Sequence, residues 1–191
     1  MTTSPISPGL GHLARTLAIS AAATGLALAA SATIPIGVAL ASDGPVDIAD
    51  GVSISPAPGW AVGHRGPNWV AISKTDGSAQ LRVAVKPADG ADIAAILQND
   101  IDHYAASTGL TNLHNVDAPT PGPAQSADFQ QQISVDYTAD VSAPQGPIPV
   151  LGAFTELLNP SNHLSAFIDF RQNNNATPQA VEDGGMMIRS L

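Results

Sequence analysis

Polar and apolar residues alternate along much of the chain after residue 51, as they do in β-strands that bury one face. The longest alternation runs from Phe129 to Val141, with polar residues at the even-numbered positions and most apolar residues at the odd-numbered ones. Residues 52–54, a segment opened by Trp60, and residues 69–74 are shorter candidates for strands. The sequence therefore predicts several short strands and one long strand with a solvent-facing side.

A hairpin is predicted around Asp76-Gly77, because this dipeptide favours the tight turns that join antiparallel strands. In the strand that follows, Leu81, Val83 and Val85 fall on one face, and the residues between them fall on the other. The turn and the alternation together indicate an antiparallel sheet.

The spacing of apolar residues changes to three and four between residues 92 and 105, which predicts an amphipathic helix. Asp89 is the expected N-cap, and Gly109 is a suitable residue to end the helix. A second, short helix is expected at residues 181–191, with an interruption at Gly184-Gly185. The apolar face of the first helix consists of Ile93, Ile96, Leu97, Ile101 and Tyr104.

Two strands at residues 150–158 and 163–171 are expected to form a hairpin closed by Asn159–Asn162. This turn places Phe154 opposite Phe167 on neighbouring strands. One face of the hairpin then carries the two phenylalanines ringed by Glu156, Asp169 and Arg171. The other face is expected to belong to the core and carries Leu151, Ala153, Leu157, Leu164, Ala166, Ile168 and Phe170.

Two interpretations of the face with the phenylalanines stay open. In one, the C-terminal helix covers the rings through Met186, Met187 and Ile188. In the other, the rings form a surface for a ligand or partner, since an apolar patch with a charged rim is typical of binding sites. Trp60 is either a core anchor or part of an aromatic platform. The candidate binding surface therefore comprises Phe154, Phe167, Glu156, Asp169, Arg171 and Trp60.

The order of strands, helix, strands and helix predicts an α+β domain with an antiparallel β-sheet, one long amphipathic helix and a C-terminal helix. This single domain is expected to cover residues 52–191, a length that suits one hydrophobic core. Residues 43–51 are expected to form a polar linker before it.

Residues 1–42 differ from the rest, because 27 consecutive residues from Thr16 to Ser42 carry no charge. A weakly basic start, an apolar run and the small-residue sites Ala30-Ser31-Ala32 and Ala39-Leu40-Ala41 form the layout of an export signal. Alternatively, Leu17 to Leu40 is long enough to anchor the chain in a membrane without cleavage. Both interpretations place residues 43–191 outside the cytoplasm, either secreted or held at the cell membrane.

The composition of the chain excludes several kinds of binding partner and functional site. The formal net charge is −9, which argues against nucleic acid as the main partner. The chain has no cysteine, so disulfides, thiolate metal sites, cysteine nucleophiles and lipid anchors on cysteine are excluded. Only 12% of the residues are charged, about half the usual share, and residues 43–191, with 22 charges in 149 residues, are also low in charge.

Candidate chemistry is sparse. The sequence has no nucleophile elbow, no Walker motif and no dinucleotide-binding glycine pattern. The histidines are scattered without metal-ligand spacing, so no metal and no cofactor is expected. Glu156 is the one carboxylate within a strongly apolar strand, and burial there would raise its pKa. It lacks an evident catalytic partner, so no catalytic residue is assigned.

The segment Val52-Ser-Ile-Ser-Pro-Ala-Pro-Gly-Trp60, followed by strands, an amphipathic helix, a long meander and a C-terminal helix, resembles the Mog1/PsbP-like fold. It is similar to the small exported envelope proteins of mycobacteria and other actinobacteria, of which the lipoprotein LpqN is a member. The likeness covers roughly residues 52–191. Those lipoproteins need an anchoring cysteine that this chain lacks, so lipid attachment does not carry over. The resemblance implies non-catalytic binding in the envelope.

We therefore expect a non-enzymatic, exported cell-envelope protein that binds an envelope lipid or a membrane-protein partner. A hydrolase-like enzyme with an acid/base site assembled from distant residues is the first alternative. A purely structural protein that spans the membrane once through residues 17–40 is the second.

Overall fold

The computed structural model of the protein describes residues 44–88 and 92–191, which form a mixed α+β domain as the sequence predicts. In chain order the elements are β1 (Val46–Ala49), β2 (Val52–Ile54), β3 (Trp60–Arg65), β4 (Trp69–Lys74), β5 (Ala79–Pro87), α1 (Ile93–Thr108), β6 (Leu110–Asn115), β7 (Thr120–Pro123), β8 (Gln131–Val141), β9 (Ile148–Asn159), β10 (Leu164–Gln172) and α2 (Pro178–Arg189).

One antiparallel sheet organises the domain, with the strand order β3-β4-β5-β10-β9-β8-β6 and with β7 paired to β8. Consecutive strands β3-β4-β5 and β8-β9-β10 form two meanders, and these join where β5 pairs with β10. The predicted hairpin at Asp76-Gly77 is confirmed, because Gly77 has a φ of 72° and its amide donates to the carbonyl of Lys74.

The two faces of the sheet are covered by different elements. Helix α1 packs on β8, β9 and β6, and its buried residues are Ile96, Leu97, Ile101 and Tyr104, as the periodicity predicts. The opposite face packs against α2 and the small β1–β2 hairpin through a cluster that includes Met187, Ile54 and Leu81. The domain therefore has three layers, with the sheet in the middle and a large apolar cluster on each of its faces.

Helix α1 begins one residue after Asp92, whose carboxylate accepts hydrogen bonds from the amides of Ala94 and Ala95. The observed N-cap is therefore Asp92, and the predicted cap Asp89 lies outside the described residues. The helix ends at Gly109 in the left-handed conformation, as predicted.

The hairpin of β9 and β10 differs in register from the prediction. Its loop comprises residues 160–163, so that Phe154 pairs with Asp169 and Phe167 pairs with Glu156. The side chain of Asn159 accepts bonds from the amides of Ser161 and Asn162 and thereby organises the turn. The shift is two residues, which changes the partners and leaves every side chain on its predicted face.

Three further expectations are corrected. Residues 46–49, expected within a linker, form β1 and pair with β2 because Val46 and Ile48 are buried against the core. Residues 110–115 and 120–123, for which the sequence predicts no strand, form β6 and β7 along β8. Helix α2 is continuous from Pro178 to Arg189 and is not interrupted.

The predicted export segment and membrane anchor lie in residues 1–43, outside the described residues. Neither helix in the described ranges has the length and apolarity that crossing a membrane requires.

Candidate functional site

The predicted phenylalanine face exists, but it is covered by α1. Tyr104 of that helix makes edge-on ring contacts with Phe154 and Phe167, at centroid distances of 6.1 and 5.5 Å. The expected cover by the C-terminal helix is wrong, because Met187 of α2 belongs to the core on the other side of the sheet. Phe154 and Phe167 are 0% and 6% exposed, so they do not form an open patch.

Asp169 lies beneath the same helix at the centre of a polar network. Its two carboxylate oxygens accept hydrogen bonds from Tyr104, at 2.6 Å, and from Tyr137, at 2.5 Å. Burial, followed by the charge of Asp169, raises the pKa of both tyrosines, which keeps the hydroxyls protonated as donors. Gly152 faces Tyr137 across the strands, where a Cβ would lie 2.4 Å from the tyrosine ring.

Arg171 extends this network towards β5. Its Nε lies 3.7 Å from Asp169 and donates to the side-chain oxygen of Gln80 at 3.1 Å, and Gln80 in turn donates to Ser73. Burial lowers the pKa of the Arg171 guanidinium, but its interactions with Asp169, Tyr104 and Tyr137 together outweigh burial and raise the pKa. The Nη1 atom of Arg171 is buried and has no hydrogen-bond partner. We call these five side chains (Tyr104, Tyr137, Asp169, Arg171 and Gln80) the Asp169 network.

Glu156 lies on the same sheet face and is 0% exposed. Its carboxyl oxygens, the hydroxyl of Ser165 and one oxygen of Asp100 are buried, and their polar partners lie only among one another. The other oxygen of Asp100 pairs with Lys86. Burial, and next the charge of Asp100, raise the pKa of Glu156 to about 9, so this carboxyl is neutral at pH 7. We call Glu156, Asp100, Ser165 and Lys86 the Glu156 cluster.

Arg82 forms the solvent-facing side of this region. Its guanidinium carbon lies 4.0 Å from the ring centre of Trp69 and 5.1 Å from that of Tyr104. Such contacts stabilise a cation by its attraction to the electron-rich ring face. Gly66 leaves room for the indole, since a Cβ there would lie 2.2 Å from the Trp69 ring nitrogen.

Trp60 lies apart from these groups, in the core that α2 covers. Its indole nitrogen donates to Asp183 of α2 at 2.9 Å, so the side chain joins the helix to the sheet. Trp60 is therefore a core residue, in agreement with its interpretation as a core anchor. A groove of about 550 Å³ lies above it, lined by Gly44, Pro45, Ser55, Pro56, Ala57, Pro58, Gly59, Trp60, Ala61 and Thr75. We call it the Trp60 groove.

The histidines of the described ranges do not join either carboxylate. His64, His103, His114 and His163 are all exposed. Within the two described ranges no three His, Cys, Asp or Glu side chains are grouped as a metal site requires. Glu156 and Asp169 are on the same face, but each has its own neighbours and no shared proton-transfer partner.

Sequence reasoning grouped Glu156, Asp169 and Arg171 correctly on one face, and it missed the residues that complete their surroundings. Tyr104 was assigned only to the apolar face of the helix, and Asp100 to no site at all. Position 100 lies four residues before Tyr104, on the same side of the helix. That spacing was the available signal for a polar contact beneath α1.

No protein-family model matches the sequence, and the search of curated proteins finds no relative. Among solved structures, the domain is similar to the Saccharomyces cerevisiae Ran-binding protein Mog1p, with a TM-score of 0.50 and 11% identity over 72% of this chain and 87% of that one. The domain has a Mog1/PsbP-like fold. At this identity the likeness concerns the fold, and it confirms the α+β architecture expected from the sequence.

Proposed function

We propose that the protein is an exported, non-enzymatic binding protein of the cell envelope, and that the Trp60 groove holds a segment of a protein partner. The carrying observation is the lining of the groove. Its ten residues are glycine, proline, alanine, serine, threonine and tryptophan, and none of them can act as an acid or base near neutral pH. Its volume of about 550 Å³ falls within the range of small-ligand and peptide sites.

The groove is also preformed, which favours binding because little ordering entropy is lost. The amide of Trp60 donates to Ala57, and that of Thr75 donates to Gly59, each at 3.0 Å. The amide of Ser55 donates to the Ser190 hydroxyl at 2.9 Å, which ties the loop to the end of α2. Gly59 has a φ of 80°, a conformation that residues with a Cβ rarely adopt.

Two further observations support the proposal. The uncharged N-terminal segment is typical of exported chains. The structurally similar Mog1p is described as Ran-binding, so a protein of this fold serves as a partner-binding module.

An acid/base enzyme is the second candidate, and the neutral Glu156 beside Asp100 is the observation in its favour. A substrate would have to reach a side chain that is 0% exposed beneath α1. The Trp60 groove is accessible without any movement of α1, and for that reason we favour a binding protein over an enzyme.

Site-specific photo-crosslinking in the source cells tests the proposal. A benzophenone amino acid at Thr75, on the groove, is compared with the same group at Thr120, which is exposed on β7. We expect one defined protein adduct from position 75 that is absent from position 120. The adduct should be lost when Pro45→Lys adds a charge to the groove and retained in the matched variant Pro119→Lys. Identical adducts from both positions would overturn the assignment of the groove.

The export part is tested separately by the mature N-terminus and by the accessibility of the domain to protease in intact cells. Digestion of the domain only after lysis would contradict an extracytoplasmic location.

A further inference from the structure

The sheet face under α1 carries two arginines and a single carboxylate at one end. On β5, Arg82 lies directly opposite Asp169, and on β10 Arg171 lies directly opposite Gln80. The two arginines are therefore diagonal neighbours on adjacent strands, close enough for long side chains to reach a common group.

A single carboxylate cannot balance two arginines, and both oxygens of Asp169 already accept tyrosine hydroxyls. Arg171 retains a contact of 3.7 Å to one oxygen. Arg82 has neither an ion pair nor a hydrogen bond with any residue of the described ranges, although it faces Asp169 across the strands. One positive charge thus stays unbalanced in a chain whose net charge is −9.

Arg171 supplies the second observation. Its side chain is 10% exposed, and its Nη1 is fully buried without a partner. A buried donor without an acceptor costs as much as a lost hydrogen bond, and in native proteins such donors are usually satisfied by water, an ion or a ligand.

The surroundings suit a planar anion. Arg82 is half-buried against Trp69 and Tyr104, so its fork of donors is held in place by ring contacts rather than by hydrogen bonds. A guanidinium matches the two oxygens of a carboxylate or the oxygens of a phosphate. A single unbalanced charge calls for a singly charged group, and a carboxylate can approach from solvent at Arg82, which is only half-buried.

We propose that Arg82 and Arg171 form a binding site for a singly charged carboxylate, with Trp69 as an aromatic wall beside it. The site is distinct from the Trp60 groove, and it does not depend on the function proposed for that groove. It assigns a role to the one buried donor of the Asp169 network that the fold leaves unpaired.

The test is a titration of the purified protein with benzoate at constant ionic strength, followed by the NMR signals of the arginine Nε groups. Benzamide, the neutral counterpart, and dimethyl phosphate, a singly charged phosphodiester, are titrated in parallel. We expect benzoate to shift the signals of Arg82 and Arg171 saturably, and benzamide to leave them unchanged.

Variants locate the site. Arg82→Gln removes a side chain that makes no hydrogen bond and is expected to weaken benzoate binding at least tenfold while the protein stays folded. Arg82→Lys keeps the positive charge but loses the planar set of N–H donors, so this variant should bind benzoate with intermediate affinity. Arg189→Gln, an exposed arginine on α2, is the matched control and should bind within twofold of the unchanged protein.

Three results would overturn the proposal. Equal shifts with benzoate and benzamide would show that charge is not recognised. Saturable binding of dimethyl phosphate without benzoate would replace the carboxylate by a phosphodiester. A high-resolution structure grown with benzoate in which Arg171 Nη1 donates only to a buried water would assign the donor to solvent.

Discussion

The Asp169 network and the Glu156 cluster lie side by side beneath α1, and they treat a buried carboxyl in opposite ways. Asp169 receives two tyrosine hydroxyls and an arginine, so its negative charge is stabilised without water. No tyrosine or arginine donates to Glu156, and the charge of Asp100 disfavours a second negative charge beside it. Donors satisfy both oxygens of Asp169, whereas burial keeps the proton on Glu156.

The difference shows that burial alone does not decide which hydrogen bonds a carboxyl makes. Both side chains are almost fully buried on the same face of the same sheet. The donors on neighbouring positions differ, since Tyr137 reaches Asp169 over the bare backbone of Gly152. Beside Glu156 the hydroxyl is that of Ser165, and Lys86 forms its ion pair with Asp100.

Asp169→Ala should have the largest effect, because it leaves Arg171 and two tyrosine hydroxyls buried without their acceptor. Removal of one partner from a buried charged network costs about 3–5 kcal/mol. Urea unfolding followed by tryptophan fluorescence measures the loss, with Glu182→Gln as an exposed control that should change stability by less than about 0.5 kcal/mol. A loss of stability below about 1 kcal/mol would show that water replaces the missing carboxylate as the hydrogen-bond acceptor.

Glu156→Gln should stabilise the protein, and the gain in stability should depend on pH. The unfolded chain loses the Glu156 proton near pH 4.5, whereas the folded protein keeps it until about pH 9. Stability of the unchanged protein therefore falls with rising pH across this window by up to roughly 1.4 kcal/mol per pH unit from this group. Glutamine lacks the proton equilibrium, so the variant should match the protein at pH 5 and exceed its stability at pH 8. A difference that is constant with pH would contradict the neutral state of Glu156.

Tyr104→Phe should cost about 1.5–3 kcal/mol, the value of a hydrogen bond to a charged group. The ring contacts to Phe154 and Phe167 remain, so the change isolates the hydroxyl. In the background of Asp169→Asn the same substitution should cost much less, because the charged acceptor is already gone. Equal costs in both backgrounds would indicate that the hydroxyl acts independently of Asp169.

Asp92→Ala should have the smallest effect on stability, and it should affect both the Asp169 network and the Glu156 cluster. The loss of the N-cap of α1 costs about 1 kcal/mol. Amide exchange should accelerate along α1, which covers both carboxyls, and remain unchanged in α2. Asp102→Ala, on the exposed side of the same helix, is the control and is expected to leave exchange in the first turn unaltered.

Several elements could be predicted because their signals are local. The three-and-four spacing of α1, the alternation in β8 and the Asp76-Gly77 turn each follow from residues close in sequence. The strands β6 and β7 were missed because their sequences are short, polar or rich in proline and glycine. They become strands by pairing with β8, which supplies the hydrogen bonds.

Helix α2 shows how packing changes the meaning of a residue. Gly184 reads as a helix breaker, yet a Cβ there would lie 2.6 Å from the ring of Phe170. The glycine permits close approach of the helix to the sheet, and that gain offsets its low helix propensity.

The sequence by itself determined the α+β class, the faces of β9 and β10, and the side of α1 that is buried, because each follows from the period of the side chains along one element. The tertiary structure alone decided which helix covers which face, since both faces of these strands carry large apolar residues and either could have received either helix. It also decided that Asp169 meets two tyrosines while Glu156 meets Asp100. Those contacts join β10 and β9 to residues of α1 and β8, and a distance in space between separate elements is set by the packing of the whole domain.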